Sequence, residues 1–337
     1  MIRSDVVVGL RYGDEGKGKI VAALCGSGQY DYCVRYNGGP NAGHTVYKGG
    51  VKLVTHSIPT GILYGIPSYI GPGCVVNPQG FLHELQTLQA ALPEYDLASL
   101  IQIAPEAHVV TEELVEEDKR EDRIGSTGQG IAPTYAAKMK RTGTRARESL
   151  LLQPYLGKPR FTPYYNKRIL FEGAQGFELD PDLGQYPYVT SSSGLPGNIG
   201  NVVPITSLDQ VIGVAKVYDT YVGNNPSFER IVDPAFEKIR ELGKEYGATT
   251  GRPRKIQWHD LPRLFESIMI SGATTVYINK IDILRAVDVW KLSFASDGDF
   301  EPVECLNEAD FKWMIKDYLS TLPWTVDIIF SGDPNGI

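Results

Sequence analysis

The sequence predicts an α/β fold with a mainly parallel, twisted β-sheet flanked by helices. Two observations lead to this prediction. Short runs of β-branched residues alternate with segments of helical periodicity, a pattern typical of strands joined by helical crossovers. A glycine-rich loop with two lysines follows the first run and precedes a helical segment, as in a phosphate-binding strand–loop–helix unit. Because we find no internal repeat or low-complexity tract, we expect residues 1–337 to form one domain.

The expected strands are, in chain order, residues 5–10, 68–70, 168–171, 210–217 and 274–279. Each is short, rich in Val and Ile, and bounded by residues that favour turns. Helical periodicity is clear at residues 81–92, and the acidic stretch 112–122 predicts a helix with a solvated charged face. Residues 154–166 contain three prolines and four aromatic residues, which predicts an irregular segment.

The composition excludes several classes of protein. A chain with 42% hydrophobic and 22% charged residues is typical of a globular protein, not a disordered one. A net charge of −7 argues against general nucleic-acid binding, which needs an excess of Lys and Arg. Neither a signal-peptide pattern nor a membrane-spanning apolar run is evident, so we expect a cytoplasmic protein with no membrane partner. Cys25, Cys33, Cys74 and Cys305 lack metal-ligand spacing, which predicts free thiols and no zinc site.

The first candidate site is the segment GDEGKGK at residues 13–19. It fits G-x-x-x-x-G-K, and the helix that follows is expected to begin at Ile20. Ile20 stands where a P-loop has a magnesium-binding Ser or Thr. Glycines let backbone N–H groups approach phosphate oxygens, and the helix N-terminus and the lysines Lys17 and Lys19 add positive charge. The carboxylate of Asp14 would repel a phosphate unless a metal ion lies between them or the carboxylate transfers protons. The segment therefore predicts a phosphate loop of altered type.

Further small-residue loops predict a second anion site. The segment NGGPNAGHT at residues 37–45 contains His44, which is either structural or a general acid at a phosphate or leaving oxygen. The segment IGSTGQG at residues 124–130 offers amides and hydroxyls. Lys138, Lys140 and Arg141 follow on a predicted helix, where the spacing of three residues puts Lys138 and Arg141 on one face. Segments EGAQG, from residue 172, and YPYVTS, from residue 186, add amide and hydroxyl donors. Two anion sites would mean two nucleotides.

The segment NKID at residues 279–282 predicts a guanine site. It ends an apolar run and fits N-K-x-D, in which the aspartate accepts bonds from N1–H and the 2-amino group of guanine. Adenine lacks both donors, although a chance tetrapeptide at a strand end is the alternative. The segment TTGRPRK at residues 249–255 places three cations in four positions, which suits a dicarboxylate or a γ-phosphate.

Seven motifs occur along the chain in the order GDEGKGK, NAGHT, HSIPTGIL, IGSTGQGIAP, FEGAQG with YPYVTSS, TTGRPRK and NKID. Over about residues 5–285 they resemble the motifs of the adenylosuccinate synthetase family. In that family GTP phosphorylates a purine 6-oxygen, and the amino group of L-aspartate then displaces the phosphate. The resemblance implies an adenylosuccinate-synthetase-like, P-loop-related fold. It also implies a C–N ligase whose substrates are a purine monophosphate, L-aspartate and an NTP with Mg²⁺. GTP is the favoured phosphate donor, with dGTP or ATP as alternatives.

The resemblance also implies roles for individual residues. Asp14 would be the base at N1 of the purine and, with the Gly43 carbonyl, a magnesium ligand, and His44 would be the acid at the transferred phosphoryl group. The implied binding residues are Asn41, Ser126, Thr127, Arg141, Gln175, Thr190 and Val222 for the acceptor nucleotide; Thr250, Arg252 and Arg254 for L-aspartate; and Gly13, Glu15, Gly16, Lys17, Gly18, Gly43, His44, Thr45, Asn279, Lys280 and Asp282 for the NTP. In a homodimer, Arg141 would reach the site of the second subunit.

Departures from the family pattern bear on the acceptor. The chain resembles the compact archaeal and phage members in length, and Tyr221 replaces an arginine in the segment beside the nucleotide sugar. IGSTGQG and EGAQGF resemble phage relatives that join aspartate to dGMP, giving N6-succino-2-amino-2′-deoxyadenylate for DNA containing 2-aminoadenine. Many of those relatives have Ser in place of Asp14 and use ATP. We favour dGMP as the acceptor, with IMP as the alternative and a guanine-nucleotide switch protein as a remote third; if the protein is phage-encoded, it would act in the host cytoplasm.

Overall fold

The computed structural model describes residues 3–120, 123–157, 167–202, 207–229, 231–247, 251–294 and 302–332. Its helices are α1 Lys17–Gly26, α2 Pro78–Ala91, α3 Leu97–Leu100, α4 Glu112–Arg120, α5 Ile131–Lys140, α6 Ala235–Gly243, α7 Leu261–Ser271, α8 Ile281–Val287 and α9 Glu308–Leu319. Its strands are β1 Arg3–Gly9, β2 Tyr32–Arg35, β3 His44–Lys48, β4 Val51–Thr55, β5 Ser68–Ile70, β6 Val75–Val76, β7 Ile101–Ile103, β8 His108–Val109, β9 Arg168–Glu172, β10 Gln210–Lys216, β11 Tyr218–Tyr221, β12 Lys255–Asp260, β13 Thr275–Asn279, β14 Lys291–Ser293, β15 Pro302–Glu304 and β16 Asp327–Ser331.

The main sheet has eight strands in the order β16-β13-β10-β1-β9-β2-β5-β7. Every pairing within it is parallel, which confirms the predicted α/β fold class. Strands β11, β12, β14 and β15 form a smaller sheet, and β3 pairs with β4 in an antiparallel hairpin. Strand β1 therefore lies between the two halves of the main sheet, and the loop that follows it lies at the centre of one edge.

The central strand is apolar on both faces because both faces are covered. Val6 and Val8 belong to the large hydrophobic cluster on one side of the sheet. Val7 belongs to a separate cluster on the other side, together with Ile20 and Val21 of α1. Successive side chains of a strand point to opposite faces, so a continuous run of valines is what a doubly covered parallel strand requires.

The five expected strands correspond to β1, β5, β9, β10 and β13, each within two residues at either end. Helix α2 begins at Pro78, three residues before the predicted start, because the side chain of Asn77 accepts a bond from the Gly80 N–H (2.9 Å). Helix α1 begins at Lys17 rather than at Ile20, directly after Gly16 with its left-handed φ of 94°. The phosphate loop is therefore shorter than the sequence suggested.

Two expectations from helical periodicity were wrong. Helix α4 does not present only a solvated acidic face, because Asp118 is buried and accepts bonds from Ser126 Oγ (2.8 Å) and the Gly130 N–H (2.8 Å). Residues 121–122 of the acidic stretch, like residues 158–166 of the expected irregular segment, lie outside the described residues. Arg141 does not share a helical face with Lys138, because α5 ends at Lys140 and Arg141 adopts a left-handed φ of 65°.

The four cysteines are free thiols, as predicted, and three of them are buried. Over the described ranges, no group of three or more His, Cys, Asp or Glu side chains could hold a metal ion. In the same ranges, no helix is long and apolar enough to cross a membrane.

Candidate active site

The candidate site is a cavity of about 1080 Å³ along one edge of the main sheet. Strands β1, β9, β10 and β13 end there at Gly9, Glu172, Lys216 and Asn279. Because these neighbouring strands are parallel, their carboxyl ends meet at the same edge, where ligands bind in open α/β sheets. The loops that follow the strands provide most of the chemical groups in the cavity.

Most of the predicted site residues line this cavity. They are Gly13, Asp14, Glu15, Gly16, Lys17, Gly18, Asn41, Gly43, His44, Thr45, Ser126, Thr127, Gln175, Thr190, Val222, Arg254, Asn279, Lys280 and Asp282. Arg141 and Arg252 are not among the described residues that line it. The Arg252 guanidinium instead donates to the carbonyl oxygens of Gly125 and Ser126, each at 3.1 Å. Thr250 lies outside the described residues.

Glu15 organises the phosphate loop from inside. Its Oε1 atom accepts bonds from the backbone N–H groups of Arg11 and Gly13, each at 3.0 Å. Its Oε2 atom pairs with Lys17 Nζ at 2.6 Å, and both side chains are buried. Since the carboxylate is occupied by these three contacts, its geometry indicates that Glu15 shapes the loop and orients Lys17.

Two helices begin at the cavity. Helix α1 follows Gly16, and helix α5 follows Gly130, whose left-handed φ is 73°. Free N–H groups and the helix dipole make such termini favourable for anions. Asp118 fixes the loop before α5, because it binds Ser126 Oγ and the Gly130 N–H. Both termini open onto the cavity in which the sequence led us to expect two anion sites.

His44, the first residue of β3, contacts Glu172 at the end of β9. Its Nδ1 atom forms a short hydrogen bond with Glu172 Oε1. Glu172 also accepts bonds from the Thr60 N–H (2.7 Å) and Thr60 Oγ1 (2.8 Å), and Arg35 lies 3.6 Å from its Oε1 atom. These contacts fix the imidazole ring with Nδ1 directed at a carboxylate.

The electrostatics of this pair follow from burial and from its neighbours. Burial would raise the pKa of Glu172, but His44, Arg35 and the Thr60 N–H hold it at about 2. Burial lowers the pKa of His44, and Glu172 opposes that shift only in part because Arg35 and Lys17 also disfavour a second positive charge. A neutral His44 with Nδ1–H donating to Glu172 is therefore the resting form at neutral pH.

Asp14 adopts a left-handed φ of 54°, an uncommon conformation for a residue other than glycine. Its Oδ2 atom accepts bonds from Arg254 Nε (3.0 Å) and Nη2 (2.9 Å). Arg254 also pairs with the buried Glu245 through Nη1 at 2.5 Å. The positive charge of Arg254, which comes from a distant segment of the chain, therefore offsets the negative charge of Asp14 in the phosphate loop.

Three amide oxygens from predicted site residues are buried and have no hydrogen-bond partner within the described part of the chain. They are Asn41 Oδ1, Gln175 Oε1 and Asn279 Oδ1. An unpaired buried acceptor costs about 1–3 kcal/mol, so each such atom needs an explanation. Gln175 also has a left-handed φ of 60°. Ligand donors in the cavity would satisfy all three oxygens.

The NKID segment is tied to both the phosphate loop and the end of β16. Asn279 Nδ2 donates to the Glu15 carbonyl at 2.7 Å, and Lys280 Nζ donates to the Gly243 carbonyl at 2.8 Å. Asp282 lies in the first turn of α8. It is close to the backbone of Gly332, because a Cβ atom added to that glycine would lie 2.9 Å from the Cβ atom of Asp282. The aspartate therefore borders a narrow part of the cavity near the phosphate loop.

One wall of the cavity is aromatic. Tyr12, Tyr221 and Phe228 form a buried cluster, with ring centroids 4.7 Å apart for Tyr12 and Phe228 and 5.4 Å apart for Tyr221 and Phe228. Tyr12, Tyr221 and Val222 line the cavity. The side chain of Tyr221 therefore packs into a hydrophobic cluster beside the predicted sugar position, where the family pattern has a charged arginine.

The donors in the cavity fit a magnesium ion that arrives with a nucleotide. Magnesium in such sites is held by one or two carboxylates together with phosphate oxygens and water. The side chain of Asp14 is 35% exposed in the cavity, and both of its contacts with Arg254 go through Oδ2. Gly43 also lines the cavity. This set matches a shared site and not an ion held by protein groups alone.

Sequence reasoning missed Glu172, Lys216 and Glu245. Glu172 and Lys216 end buried strands at the edge where ligands bind, and Glu245 stands seven residues before Arg252 in the segment that leads to the predicted aspartate-binding residues. A charged residue at the carboxyl end of an apolar strand was the available signal for the first two. No local signal distinguishes Glu245 from the exposed glutamates of α6.

The fold and the cavity define the class of α/β proteins in which a glycine-rich loop after the first strand and a second helix N-terminus open onto one cavity. The chain matches the family described as adenylosuccinate synthetase over residues 6–157 and 162–328. It belongs to the adenylosuccinate synthetase family, which consists of C–N ligases that use aspartate. This confirms the resemblance noted in the sequence.

The similar proteins include two adenylosuccinate synthetases and one phage synthetase with dGMP bound, the two kinds of enzyme that the sequence suggested. An adenylosuccinate synthetase from Streptococcus gordonii is 36% identical over 357 residues, covering 89% of this chain and 82% of the relative. The structure of fully ligated adenylosuccinate synthetase from Plasmodium falciparum matches with a TM-score of 0.86 and 25% identity over 98% of this chain and 97% of that one. The cyanophage S-2L succinoaminodeoxyadenylate synthetase, bound to dGMP and to dATP as an energy donor, shares the fold with a TM-score of 0.68 and 24% identity over 94% of this chain and 99% of that one.

Proposed function

We propose that this protein uses an NTP and Mg²⁺ to join L-aspartate to C6 of a 6-oxopurine nucleotide, with dGMP as the preferred acceptor. The product would be N6-succino-2-amino-2′-deoxyadenylate, released with NDP and phosphate. The observation that carries the proposal is the convergence of Asp14, His44 and two helix N-termini on one cavity. A switch protein would need neither His44 nor the cationic residues near Asp14.

In this proposal, Asp14 accepts the N1 proton of the purine, and the 6-oxygen attacks the γ-phosphorus of the NTP. The bond from that phosphorus to the β–γ bridging oxygen breaks, and NDP leaves. The amino group of L-aspartate then attacks C6, and the C6–O bond breaks to release phosphate. His44 faces the transferred group through Nε2, because its Nδ1 is held by Glu172. A proton taken up at Nε2 lets His44 donate to the developing anion. Asp14 and the Gly43 carbonyl would hold Mg²⁺, which supplies charge neutralisation at the phosphates when bound.

The binding roles proposed for individual residues are those that the family resemblance implies. The acceptor nucleotide would contact Asn41, Ser126, Thr127, Gln175, Thr190 and Val222, and the NTP would contact the phosphate loop, residues 43–45 and the NKID segment. Arg254 is placed to bind a carboxylate of L-aspartate beside Asp14. Arg252 would reach substrate only if it left the carbonyl oxygens of Gly125 and Ser126.

The phosphate donor is proposed to be GTP. Asp282 can accept from both N1–H and the 2-amino group of guanine, whereas adenine offers neither donor. The link between Asn279 and the Glu15 carbonyl supports this assignment, because it places the guanine-reading segment against the phosphate loop of the same nucleotide. dGTP would satisfy the same contacts.

The preference for a 2′-deoxy sugar rests on the aromatic wall, and the preference for guanine as the base rests on the resemblance of IGSTGQG and EGAQGF to phage relatives. Tyr12, Tyr221 and Val222 present mainly apolar atoms at the predicted sugar position. A ribose 2′-hydroxyl that loses water without gaining a partner there would cost about 1–3 kcal/mol, which favours the 2′-deoxy sugar. IMP is the second candidate, because the 36% identical relative is named adenylosuccinate synthetase.

We also propose a homodimer in which Arg141 reaches the acceptor phosphate of the partner subunit. Arg141 is exposed, directly after α5, and it does not line the cavity formed by the described residues of its own subunit. Met139 is 71% exposed and Leu150 is 88% exposed. Met139 stands two residues before Arg141, and Met and Arg are both enriched at protein interfaces.

The decisive experiment compares acceptors and donors. Purified protein is incubated with L-aspartate, Mg²⁺, one of dGMP, GMP, IMP or dIMP, and either GTP or ATP. The expected result is an aspartate-dependent succinyl product that forms fastest with dGMP and GTP. Faster turnover with IMP than with dGMP would replace the acceptor assignment. GTP hydrolysis without any aspartate-dependent product would favour a guanine-nucleotide switch.

A further inference from the structure

A buried cluster of charges lies beside Asp14 in the cavity wall. Glu245 is completely buried and receives three donors: Lys216 Nζ at 3.2 Å, Arg254 Nη1 at 2.5 Å and Tyr218 OH at 2.8 Å. Lys216 also donates to Thr220 Oγ1 at 2.5 Å. Both cations contact the same carboxylate oxygen, Oε2. This arrangement holds a lysine and an arginine close together although their charges repel each other.

The cluster is placed for binding rather than for stability alone. Buried ion pairs lose much of their attraction to desolvation, so they are weak evidence for a stabilising role. Lys216 is only 3% exposed, yet it lines the cavity, as Glu245 and Arg254 do. The opposite side of the Arg254 guanidinium contacts Asp14. Glu245 thus sets the position of two cations that face the reaction centre.

The contacts of the cluster suit an anionic ligand. Lys216 and Arg254 share one carboxylate oxygen of Glu245, and Arg254 also contacts Asp14. Burial would raise the pKa of Glu245, but the attraction of the cations and the bond from Arg254 hold it at about 2, so it is ionised at neutral pH. A carboxylate of an amino-acid substrate in the cavity would therefore meet two cations whose positions Glu245 fixes.

We propose that Glu245 is a positioning residue for L-aspartate, and that it makes Lys216 a second cationic contact, beside Arg254, for a substrate carboxylate. This inference rests on the proposed function, because it assigns the anion in this wall to L-aspartate. Two cations held side by side at one carboxylate oxygen suit the separate oxygens of a substrate carboxylate better than either cation alone. Phosphate oxygens of the NTP are the competing ligand, and the test separates the two.

The test measures KM for each substrate in Glu245→Gln. Loss of the negative charge releases Lys216 and Arg254 from their shared position. We expect KM for L-aspartate to rise at least about 10-fold, equal to about 1.4 kcal/mol. KM for GTP and for the acceptor nucleotide should stay within about 3-fold of wild type. Glu241→Gln is the matched control, because Glu241 is an exposed glutamate near the end of α6, four residues before Glu245.

Two further variants keep the inference testable if Glu245→Gln folds poorly. Lys216→Met removes one cation while Arg254 keeps its bond to Glu245, and it should also raise KM for L-aspartate. Glu245→Asp retains the charge, so it should recover part of the loss. If the role were only structural, the shorter side chain would leave a gap and Glu245→Asp would be no better than Glu245→Gln. Thermal unfolding of each variant reports its stability separately.

Equilibrium binding of L-aspartate to the nucleotide-loaded proteins decides the inference independently of turnover. Weaker binding to Glu245→Gln and Lys216→Met, with unchanged nucleotide binding, supports it. Unchanged L-aspartate binding in both variants, or a parallel loss of GTP binding, overturns it. If the wild type forms no aspartate-dependent product with any acceptor, the proposed function fails. If the wild type is active and both variants keep its KM for L-aspartate, only this inference fails.

Discussion

Replacing Glu172 by Gln tests whether His44 works as an acid. The carboxylate is completely buried, bonds to His44 Nδ1 and receives two further bonds from Thr60. The glutamine side chain would have nearly the same shape but no charge, so the positive form of His44 would lose its partner. A hydrogen bond to a charged group contributes about 1.5–3 kcal/mol. We therefore expect kcat to fall roughly 10- to 150-fold.

The pH dependence gives a second readout of the same variant. Burial, Arg35 and Lys17 lower the pKa of His44, whereas Glu172 raises it. Removing Glu172 lowers this pKa further, so the protonated acid is lost at a lower pH. The limb of the pH–rate profile on which activity falls with rising pH should therefore move toward acidic pH in Glu172→Gln. Initial rates of the aspartate-dependent product, measured between about pH 5 and pH 9, would record this shift.

Stability has to be measured alongside, because Arg35 is buried next to Glu172. The pKa of Glu172, at about 2, lies below its ordinary value, so its stabilising effect is present above about pH 4 and is lost as the pH falls toward 2. Thr60→Val is a milder companion that removes one bond and keeps the charge. It should lower kcat less than about 10-fold and leave the pH limb in place. A folded Glu172→Gln variant with wild-type kcat and an unmoved limb would refute the role of this pair.

Three further predictions concern the remaining groups. Asp14→Asn and His44→Asn should each lower kcat at least about 100-fold without unfolding the protein, because both residues lie at a polar cavity. A variant with near wild-type turnover would exclude that residue from the chemistry. Arg141→Leu mixed with Asp14→Asn should regain activity through hybrid dimers, and the absence of rescue after verified subunit exchange would place Arg141 outside the partner's site. Asp282→Asn should weaken GTP use roughly 5- to 150-fold while KM for L-aspartate and for the acceptor stay unchanged; equal kcat/KM of wild type for GTP and ATP would contradict a guanine site at Asp282.

The fold class, and the places along the chain where chemical groups occur, could be predicted from local patterns. A parallel strand covered on both faces needs apolar side chains at nearly every position, and β1, β9, β10 and β13 are mostly apolar. The phosphate loop and the NKID segment each follow one such strand, so their position at its carboxyl end depends only on neighbouring residues. This is why the phosphate loop and the NKID segment could be singled out as candidate sites without a structure.

Local patterns failed where backbone conformation or burial depended on distant residues. Periodicity placed Arg141 on the face of Lys138, but the helix ends one residue earlier. Periodicity also predicted a solvated acidic helix, but Asp118 turns inward because the loop before α5 packs against it and offers two donors. Neither the end of a helix nor the burial of one of its charges is a property of that helix alone.

The sequence by itself determined the family, the fold class and many of the residues that line the cavity. Only the tertiary structure decided which of these groups act together. Arg254 meets Asp14 across 240 positions of the chain, and His44 meets Glu172 across 128. In each pair one partner stands at the end of a main-sheet strand, Asp14 after β1 and Glu172 in β9. The other partner comes from outside the main sheet, Arg254 before β12 and His44 at the start of β3. These pairs form because separate parts of the fold pack together, and no spacing along the chain specifies that packing.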